Sequence, residues 1–192
     1  MENLSEADLK KIVDEVVSSL IREMPSQLES LVNSAPAAAT KPSPAERNTV
    51  AIGADHGGYP LKETLKVFLE EKGFQVIDCG TGSTESVDYP DFARAVAQQV
   101  AEGKAWRGIM IDGAGIGSCM AANKVPGIRA AMCYDHATAS NSREHNNANL
   151  LTLGAGLIGA NLAKQITTTF LETEFGGGRH ARRVDKIMAI ES

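Results

Sequence analysis

Short apolar runs alternate with amphipathic stretches along the chain from residue 48 onward. Five of these runs have the length and aliphatic content of strands: TVAIGAD, FQVIDCG, GIMID, IRAAMCY and NLLTLG. Each run is followed by a segment whose apolar residues recur at spacings of three and four, which predicts a helix. Repeated strand-helix units indicate an α/β fold, and we predict a three-layer doubly wound sandwich with a five-stranded parallel sheet over residues 48–192.

Residues that favour helix ends divide these units from one another. Asp88 is a predicted cap for one helix, which ends at Gly103, and Asp135 begins another. A third helix is predicted after Gly117. The last strand is followed by a predicted helix over residues 157–172, LIGANLAKQITTTFLE.

The first 24 residues carry a separate helical pattern. Ser5 is a predicted N-cap, and Pro25 marks the end of the helix. Residues 25–47 are rich in alanine, proline and serine and have no apolar period, which is typical of a flexible linker. The apolar stripe of the helix consists of Leu9, Ile12, Val13, Val16, Val17, Leu20, Ile21 and Met24.

An amphipathic helix on a linker needs a partner for its apolar face, because an isolated helix of this length is marginal in water. Packing on its own domain or self-association is one alternative, and docking on another protein is a second. A membrane surface is disfavoured, since surface helices favour lysine and arginine. The segment LKKIVDEVVSSLI before a Pro/Ala linker resembles the encapsulation peptides that deliver enzymes into bacterial microcompartments, which implies a shell protein as partner.

Composition and charge narrow the function classes. The chain has 192 residues, 43% of them hydrophobic, and a formal net charge of -5, so no overall basic field supports nucleic-acid binding. Cys79, Cys119 and Cys133 form no CxxC pair and have no matching histidine spacing, which predicts neither a disulfide framework nor a zinc site. The sequence has no membrane-spanning run or secretory signal, so we expect a soluble, cytoplasmic protein.

A glycine-rich loop follows the third predicted strand. GAGIGS has Ser118 where a dinucleotide fingerprint needs its third glycine, and no acidic residue closes the next strand, so a nicotinamide site is disfavoured. The backbone N–H groups of such a loop, at the start of a helix, stabilise negative charge. The charge is either a phosphate or a reaction oxyanion, and a tight turn without a ligand is the third alternative.

Three polar motifs supply the remaining candidate chemistry. ADHGG places Asp55 and His56 at the end of the first strand, where ligands bind in parallel sheets. REHNN and GGRHARR add two histidines and a run of arginines. Arg179 and Arg183 are one helical turn apart, so both are able to hold one phosphate, and histidines transfer protons near neutral pH.

These motifs occur together in a known family. ADHGG, ESVDYPDFA, GAGIG, AANKVPGIRAA, REHNNAN and GGRHARRV appear in order across residues 50–191. The sequence resembles the ribose-5-phosphate isomerase type B family, which also includes galactose-6-phosphate isomerase subunits. The resemblance implies a doubly wound sheet and a homodimer or dimer of dimers whose active sites are shared between subunits. It also implies no metal or organic cofactor.

The resemblance implies a role for each candidate residue in an aldose-ketose isomerisation through an enediolate. His145 would help to open the sugar ring, assisted by Asp55 and Asn146, and His56 would line the sugar with Asp55. An oxyanion nest would be formed by Gly113, Ala114, Gly115, Ile116 and Gly117. The phosphate would be held by Arg179, His180 and Arg183.

Four positions differ from residues that are frequent in the family. Asp112 replaces the catalytic cysteine found in many members, and Ala114 replaces a threonine of the loop. Another branch uses a glutamate where this chain has Ser118, and Gly156 replaces a frequent phosphate-binding arginine. We predict that the Asp112 carboxylate is the base, with partial burial raising its basicity.

The sequence therefore predicts an isomerase acting on a phosphorylated sugar, with ribose 5-phosphate and ribulose 5-phosphate as the preferred pair. The resemblance of the N-terminal segment to encapsulation peptides predicts that the protein is carried into a bacterial microcompartment. The alternative is a catalytically silent relative that binds a phosphorylated metabolite or acts as a scaffold.

Overall fold

Five parallel strands form one sheet in the computed structural model, which describes residues 47–191. The strand order is β2-β1-β3-β5-β4, and every neighbouring pair is parallel, which confirms the predicted sheet. The predicted helix over 1–24 and residues 25–46 of the predicted linker lie outside the described residues. The strands are β1 (Thr49–Ala54), β2 (Gln75–Asp78), β3 (Arg107–Asp112), β4 (Ala130–Met132) and β5 (Leu150–Gly154).

Helices cover both faces of this sheet, as predicted for a three-layer sandwich. The helices are α1 (Tyr59–Glu71), α2 (Tyr89–Ala101), α3 (Ile116–Ala122), α4 (His136–Glu144), α5 (Ala160–Glu172) and α6 (Arg179–Met188). Helices α1, α4 and α5 pack on one face, while α2 and α3 pack on the other. A short 3-10 turn, Ala189–Glu191, follows α6.

The three central strands are buried on both faces, because helices exclude water from each side. The first face packs against Leu65 and Leu69 of α1 and Phe170 of α5, which are all fully buried. The second face packs against Val96 of α2 and Ala122 of α3. Burial of these side chains supplies the hydrophobic free energy that holds the layers together.

Most helix boundaries lie close to the residues predicted to begin or end helices. Asp88 precedes α2, and Asp135 caps α4 by accepting a hydrogen bond from the Thr138 N–H at 2.7 Å in a full capping box. The last predicted helix begins later than expected, at Ala160. Leu157 instead forms a turn in which its N–H donates to the Gly154 carbonyl at 3.0 Å.

The strand order reverses direction between β1 and β3. The chain builds β2 on one side of β1 and then crosses to β3 on the other side. Crevices at such switch points, outside the carboxyl ends of the strands, are the usual ligand sites of doubly wound sheets. Asp55 follows β1 and Asp112 ends β3, so this crevice is lined by two carboxylates.

Candidate active site

Asp55 and His56 lie on one side of the switch-point crevice. The Asp55 side chain is buried, and its Oδ1 accepts a hydrogen bond from the Gly58 N–H at 2.9 Å. The Asp55 N–H donates to the Ile111 carbonyl of β3 at 3.2 Å. His56 is half-buried, and its Nδ1 lies 3.2 Å from both the N and the O of Val87. These contacts fix both residues beside the end of β3.

The glycine loop on the other side of the crevice is held firmly by β5. Gly115 has φ +79°, a conformation that favours glycine, and its carbonyl accepts a 2.8 Å hydrogen bond from the Thr152 hydroxyl. The Gly156 N–H donates to the Gly113 carbonyl at 2.9 Å. A Cβ at Gly154 would lie 2.6 Å from the carbonyl of Ala114, so only glycine allows this close approach.

The carboxylate of Asp112 turns into this loop. Its Oδ1 accepts hydrogen bonds from the N–H groups of Ala114, at 2.8 Å, and Gly115. Its Oδ2 accepts from the Ser118 N–H at 3.0 Å and from the Ser118 hydroxyl at 2.5 Å. Both side chains are buried, with Asp112 at 4% exposure and Ser118 at 0%. A carboxylate has about four lone-pair positions, so all of them are engaged.

This arrangement divides the predicted oxyanion nest into two sets of amides. The N–H groups of Ala114 and Gly115 face the Asp112 carboxylate. The N–H groups of Gly113, Ile116 and Gly117 have no hydrogen-bond acceptor within residues 47–191. They are therefore the donors that the loop leaves open for an anion.

The predicted histidine and arginine residues form a second group, which lies at the amino-terminal edge of the sheet. His145 follows α4 and precedes β5 by five residues, and its ring stacks on His180 with centroids 4.2 Å apart. The Asn141 side chain contacts His145 Nδ1 at 2.8 Å. Arg179 begins α6 beside His180, and its Nε lies 3.5 Å from His180 Nε2.

Contacts with the strand starts fix this position. The Gly176 N–H, shortly before α6, donates to the Glu144 carbonyl at 2.9 Å. Glu174 forms an ion pair with Arg47, which precedes β1. The Arg143 guanidinium, 2% exposed, donates to the Thr173 carbonyl at 3.2 Å. Helix α6 therefore begins at the edge where the strands start.

Positive charge dominates the second group. Arg179 and Arg183 are exposed on α6, one helical turn apart. Desolvation, together with the charges of His145, Arg179 and Arg183, lowers the pKa of His180. Asn146 is also exposed at the end of α4, where its amide lies 3.3 Å from the Asn141 carbonyl oxygen. The group suits an anion such as a phosphate.

Within one subunit, the structure does not bring the two groups together. Asp55, His56 and the glycine loop are at the carboxyl edge of the sheet, while His145 and His180 are at the amino edge. The six residues of β3 separate these edges by about 20 Å. The family resemblance implies one active site that uses both groups and is shared between two subunits.

Tyr89 is a site residue that sequence reasoning did not single out. Its ring lies over the glycine loop, because a Cβ at Gly117 would be 2.5 Å from Tyr89 Cζ. The side chain is 38% exposed. Tyr89 directly follows Asp88 at the start of α2. In the sequence, this segment indicates only the beginning of a helix and no chemical role for the tyrosine.

Two general features of the described chain bear on the site. Between Arg47 and Glu191, no cluster of three or more histidine, cysteine, aspartate or glutamate side chains is arranged to hold a metal ion. Over the same residues, the helices are too short or too polar to cross a membrane.

Comparisons with known proteins agree with this fold. Residues 50–187 match the profile of the Ribose/Galactose Isomerase family, and the chain belongs to this family. Ribose-5-phosphate isomerase B of Escherichia coli is 46% identical over 142 residues, covering 74% of this chain and 95% of that protein. D-erythrulose-4-phosphate isomerase of Pectobacterium atrosepticum is 46% identical over 140 residues, covering 72% of this chain and 92% of that protein.

Solved structures give the same result. The ribose-5-phosphate isomerase B of Clostridium thermocellum superposes with a TM-score of 0.74 at 55% identity, covering 74% of this chain and 97% of that one. The ribose-5-phosphate isomerase B of Mycoplasma genitalium, solved with bound ribulose-5-phosphate, has a TM-score of 0.72 at 41% identity. The match covers 74% of this chain and 95% of that one. The chain is a sugar-phosphate isomerase with the α/β fold of these structures.

Proposed function

We propose that this protein interconverts ribose 5-phosphate and ribulose 5-phosphate through an enediolate. The observation that carries the proposal is the glycine loop at the switch point. It combines a carboxylate, Asp112, with the open N–H groups of Gly113, Ile116 and Gly117. An enediolate needs a base beside a carbon and donors beside an oxygen, and this loop offers both. The ribulose-5-phosphate bound to the Mycoplasma genitalium relative supports the choice of substrate.

In the proposed reaction, Asp112 removes the proton from the carbon next to the carbonyl. The C–H electron pair forms the double bond of the enediolate, and the carbonyl oxygen takes up the negative charge. The loop N–H groups stabilise that oxygen, which then takes the hydroxyl proton of the adjacent oxygen. The proton held by Asp112 returns to the former carbonyl carbon, and the adjacent oxygen becomes the new carbonyl oxygen. Asp55 and His56 line the sugar on the opposite side of the crevice, and Tyr89 covers the loop.

The complete site requires a second copy of the chain. The proposed roles of His145, Asn146, Arg179, His180 and Arg183 are ring opening and phosphate binding. These residues are about 20 Å from Asp112 within one subunit, a distance longer than a five-carbon phosphate. We propose that the amino-edge group of one subunit faces the carboxyl-edge group of its partner, in a dimer or dimer of dimers.

Isotope exchange tests the proposed reaction directly. The full chain is incubated in deuterium oxide with ribose 5-phosphate, a four-carbon ketose phosphate and galactose 6-phosphate. We expect ribulose 5-phosphate to form, with deuterium at the carbon next to the carbonyl. Exchange only with the four-carbon or six-carbon phosphate would assign a different substrate. No exchange with any of the three would overturn the isomerase assignment.

The Asp112 base has its own test. Asp112→Asn keeps the side-chain size but removes the negative charge, and we expect it to reduce exchange at least about 1000-fold. Undiminished exchange in this variant would reject Asp112 as the base.

We also propose that the protein is cargo of a bacterial microcompartment, recruited by residues 1–24. The apolar stripe of that segment, followed by a Pro/Ala linker, supports a helix that docks on a shell protein. Leu20 lies in the stripe, whereas Ser18 lies on the opposite side of the predicted helix. In co-expression with shell proteins, Leu20→Glu should abolish co-purification and Ser18→Glu should preserve it. Equal behaviour of the two variants would reject the docking of the stripe.

A further inference from the structure

The hydroxyl of Ser118 donates the shorter of two hydrogen bonds to Oδ2 of Asp112, at 2.5 Å. We infer that Ser118 is a positioning residue. It holds Oδ2 of Asp112 while Oδ1 leaves the loop amides and an oxygen of the substrate takes its place on them. The inference rests on the proposed function, because it assigns the movement that Asp112 needs in order to act as the base.

Asp112 occupies the place of a reaction oxyanion in this structure. Its Oδ1 accepts hydrogen bonds from Ala114 and Gly115, which are two of the amides expected to bind the enediolate. None of the ion pairs among residues 47–191 involves Asp112, so neutral donors alone solvate the carboxylate. An anion of the substrate is the chemical equivalent of Oδ1 at these amides.

The amides themselves are fixed, so the exchange must come from the carboxylate. Thr152 binds the Gly115 carbonyl, and Gly154 lies in close contact with Ala114. Movement of the loop would break these contacts with β5. Rotation of the Asp112 side chain breaks only the two hydrogen bonds of Oδ1.

Ser118 determines which oxygen of Asp112 is released. Both donors to Oδ2, the N–H and the hydroxyl, belong to this one residue of α3. With Oδ2 held, a small rotation frees the lone pairs of Oδ1 and leaves them facing the substrate. Oδ1 then accepts the proton from carbon, and one enediolate oxygen takes its place on the N–H groups of Ala114 and Gly115. The open N–H groups of Gly113, Ile116 and Gly117 remain for the second enediolate oxygen. When the proton returns to the neighbouring carbon, Oδ1 is again an anion and goes back to the amides.

Ser118→Ala is the informative variant, because it removes the hydroxyl but keeps the N–H donor. We expect kcat for ribose 5-phosphate to fall roughly 10- to 100-fold, as is typical for loss of a hydrogen bond to a charged group, with KM changed less than about twofold. A merely structural defect would instead raise KM and lower the urea midpoint together with kcat.

Ser142→Ala is the matched control. Its buried hydroxyl donates to the Ala139 carbonyl at 2.8 Å and has no contact with Asp112. It should leave both kcat and KM for ribose 5-phosphate unchanged. A Ser118→Ala enzyme with the kcat of the wild type would overturn the positioning role while the wild-type activity stands. Absence of turnover in the wild type would instead overturn the proposed function.

A second measurement applies even if Ser118→Ala does not fold. In a crystal structure of the wild type with a phosphorylated hydroxamate analogue of the enediolate, we expect an oxygen of the analogue on the Ala114 and Gly115 N–H groups. Ser118 should still bind Oδ2 of Asp112. An analogue bound with both Asp112 oxygens unmoved would contradict the exchange.

Discussion

Gly117 lies against the ring of Tyr89 with no room for a methyl group. A Cβ there would be 2.5 Å from Tyr89 Cζ and 2.6 Å from its hydroxyl oxygen. We expect Gly117→Ala to displace the ring into solvent, because the ring is the mobile end of a partly exposed side chain. The catalytic efficiency kcat/KM for ribose 5-phosphate should fall roughly tenfold, while the urea midpoint changes little, since the loop contacts with β5 remain.

The double variant Gly117→Ala with Tyr89→Ala separates this clash from an effect on the loop itself. If the clash is the cause, the double variant has the activity of Tyr89→Ala alone, so the two effects are not additive. Additive losses in the two single variants would show that the added methyl group disturbs the loop independently of Tyr89.

The side chain of Asp112 shows why the residue-level prediction was incomplete. The sequence indicates a carboxylate at the end of a strand and a serine six positions later, each with its own interpretation. Only the turn at Gly115, with φ +79°, folds Ser118 back to within 2.5 Å of Asp112. The pairing depends on backbone dihedral angles that no spacing rule specifies.

At the scale of elements, a buried ion pair joins α1 to β2. Lys62 of α1 is 2% exposed, and its Nζ lies 2.6 Å from Asp78 Oδ2 at the end of β2. Burial alone would raise the pKa of Asp78, but hydrogen bonds from Lys62 and Gly80 outweigh it and lower the pKa below its ordinary 3.8. Burial alone would lower the pKa of Lys62, but the hydrogen bonds that its ammonium donates to Asp78 and Glu63 outweigh this and raise the pKa above 10.5.

We expect Asp78→Asn to lower the free energy of unfolding by about 2–3 kcal/mol at pH 7, because Glu63 is then the sole anionic partner of Lys62 among residues 47–191. The stabilisation requires ionised Asp78, so it is present above pH 3.8 and lost as the pH falls through the lower folded-state pKa. The wild type and variant should therefore converge in urea titrations below that pH.

An exposed ion pair provides the control. Glu102 lies 2.6 Å from Lys104, with side chains 51% and 61% exposed. Glu102→Gln should change the free energy of unfolding by at most about 0.5 kcal/mol. A difference between wild type and Asp78→Asn that stayed constant down to pH 2 would contradict the assigned ionisation.

Helix and strand types were predictable because their signals are local. The capping box at Asp135 and the proline in the first turn of α2 are both visible in the sequence. The start of α5 could not be predicted in this way, because Leu157 and Ile158 continue the apolar pattern of the helix. Hydrogen bonds to the Gly154 carbonyl place both residues in a turn instead.

At the scale of the whole molecule, the topology places the two groups of the predicted shared site at opposite edges of the sheet within one subunit. Parallel strands put every strand end on one edge and every strand start on the other. Since REHNN directly precedes β5, its position at the amino edge follows from the strand order. The position of α6 does not follow from the strand order, because it depends on the path of the chain after α5. There, Glu174 pairs with Arg47 and the Gly176 N–H donates to the Glu144 carbonyl.

This separation makes subunit complementation the decisive test of a shared site. Asp112→Asn disables the carboxyl-edge group, and His145→Ala disables the amino-edge group, so each homodimer should be inactive. In a mixed dimer of the two variants, one site combines both defects and the other combines two intact groups. Random reassociation at equal amounts gives mixed dimers for half of the population, each with one working site of two. We therefore expect about one quarter of wild-type activity from proteins that are inactive alone. If each subunit instead contained a complete site, every site in the mixture would keep one defect and activity would stay at the level of the separate variants.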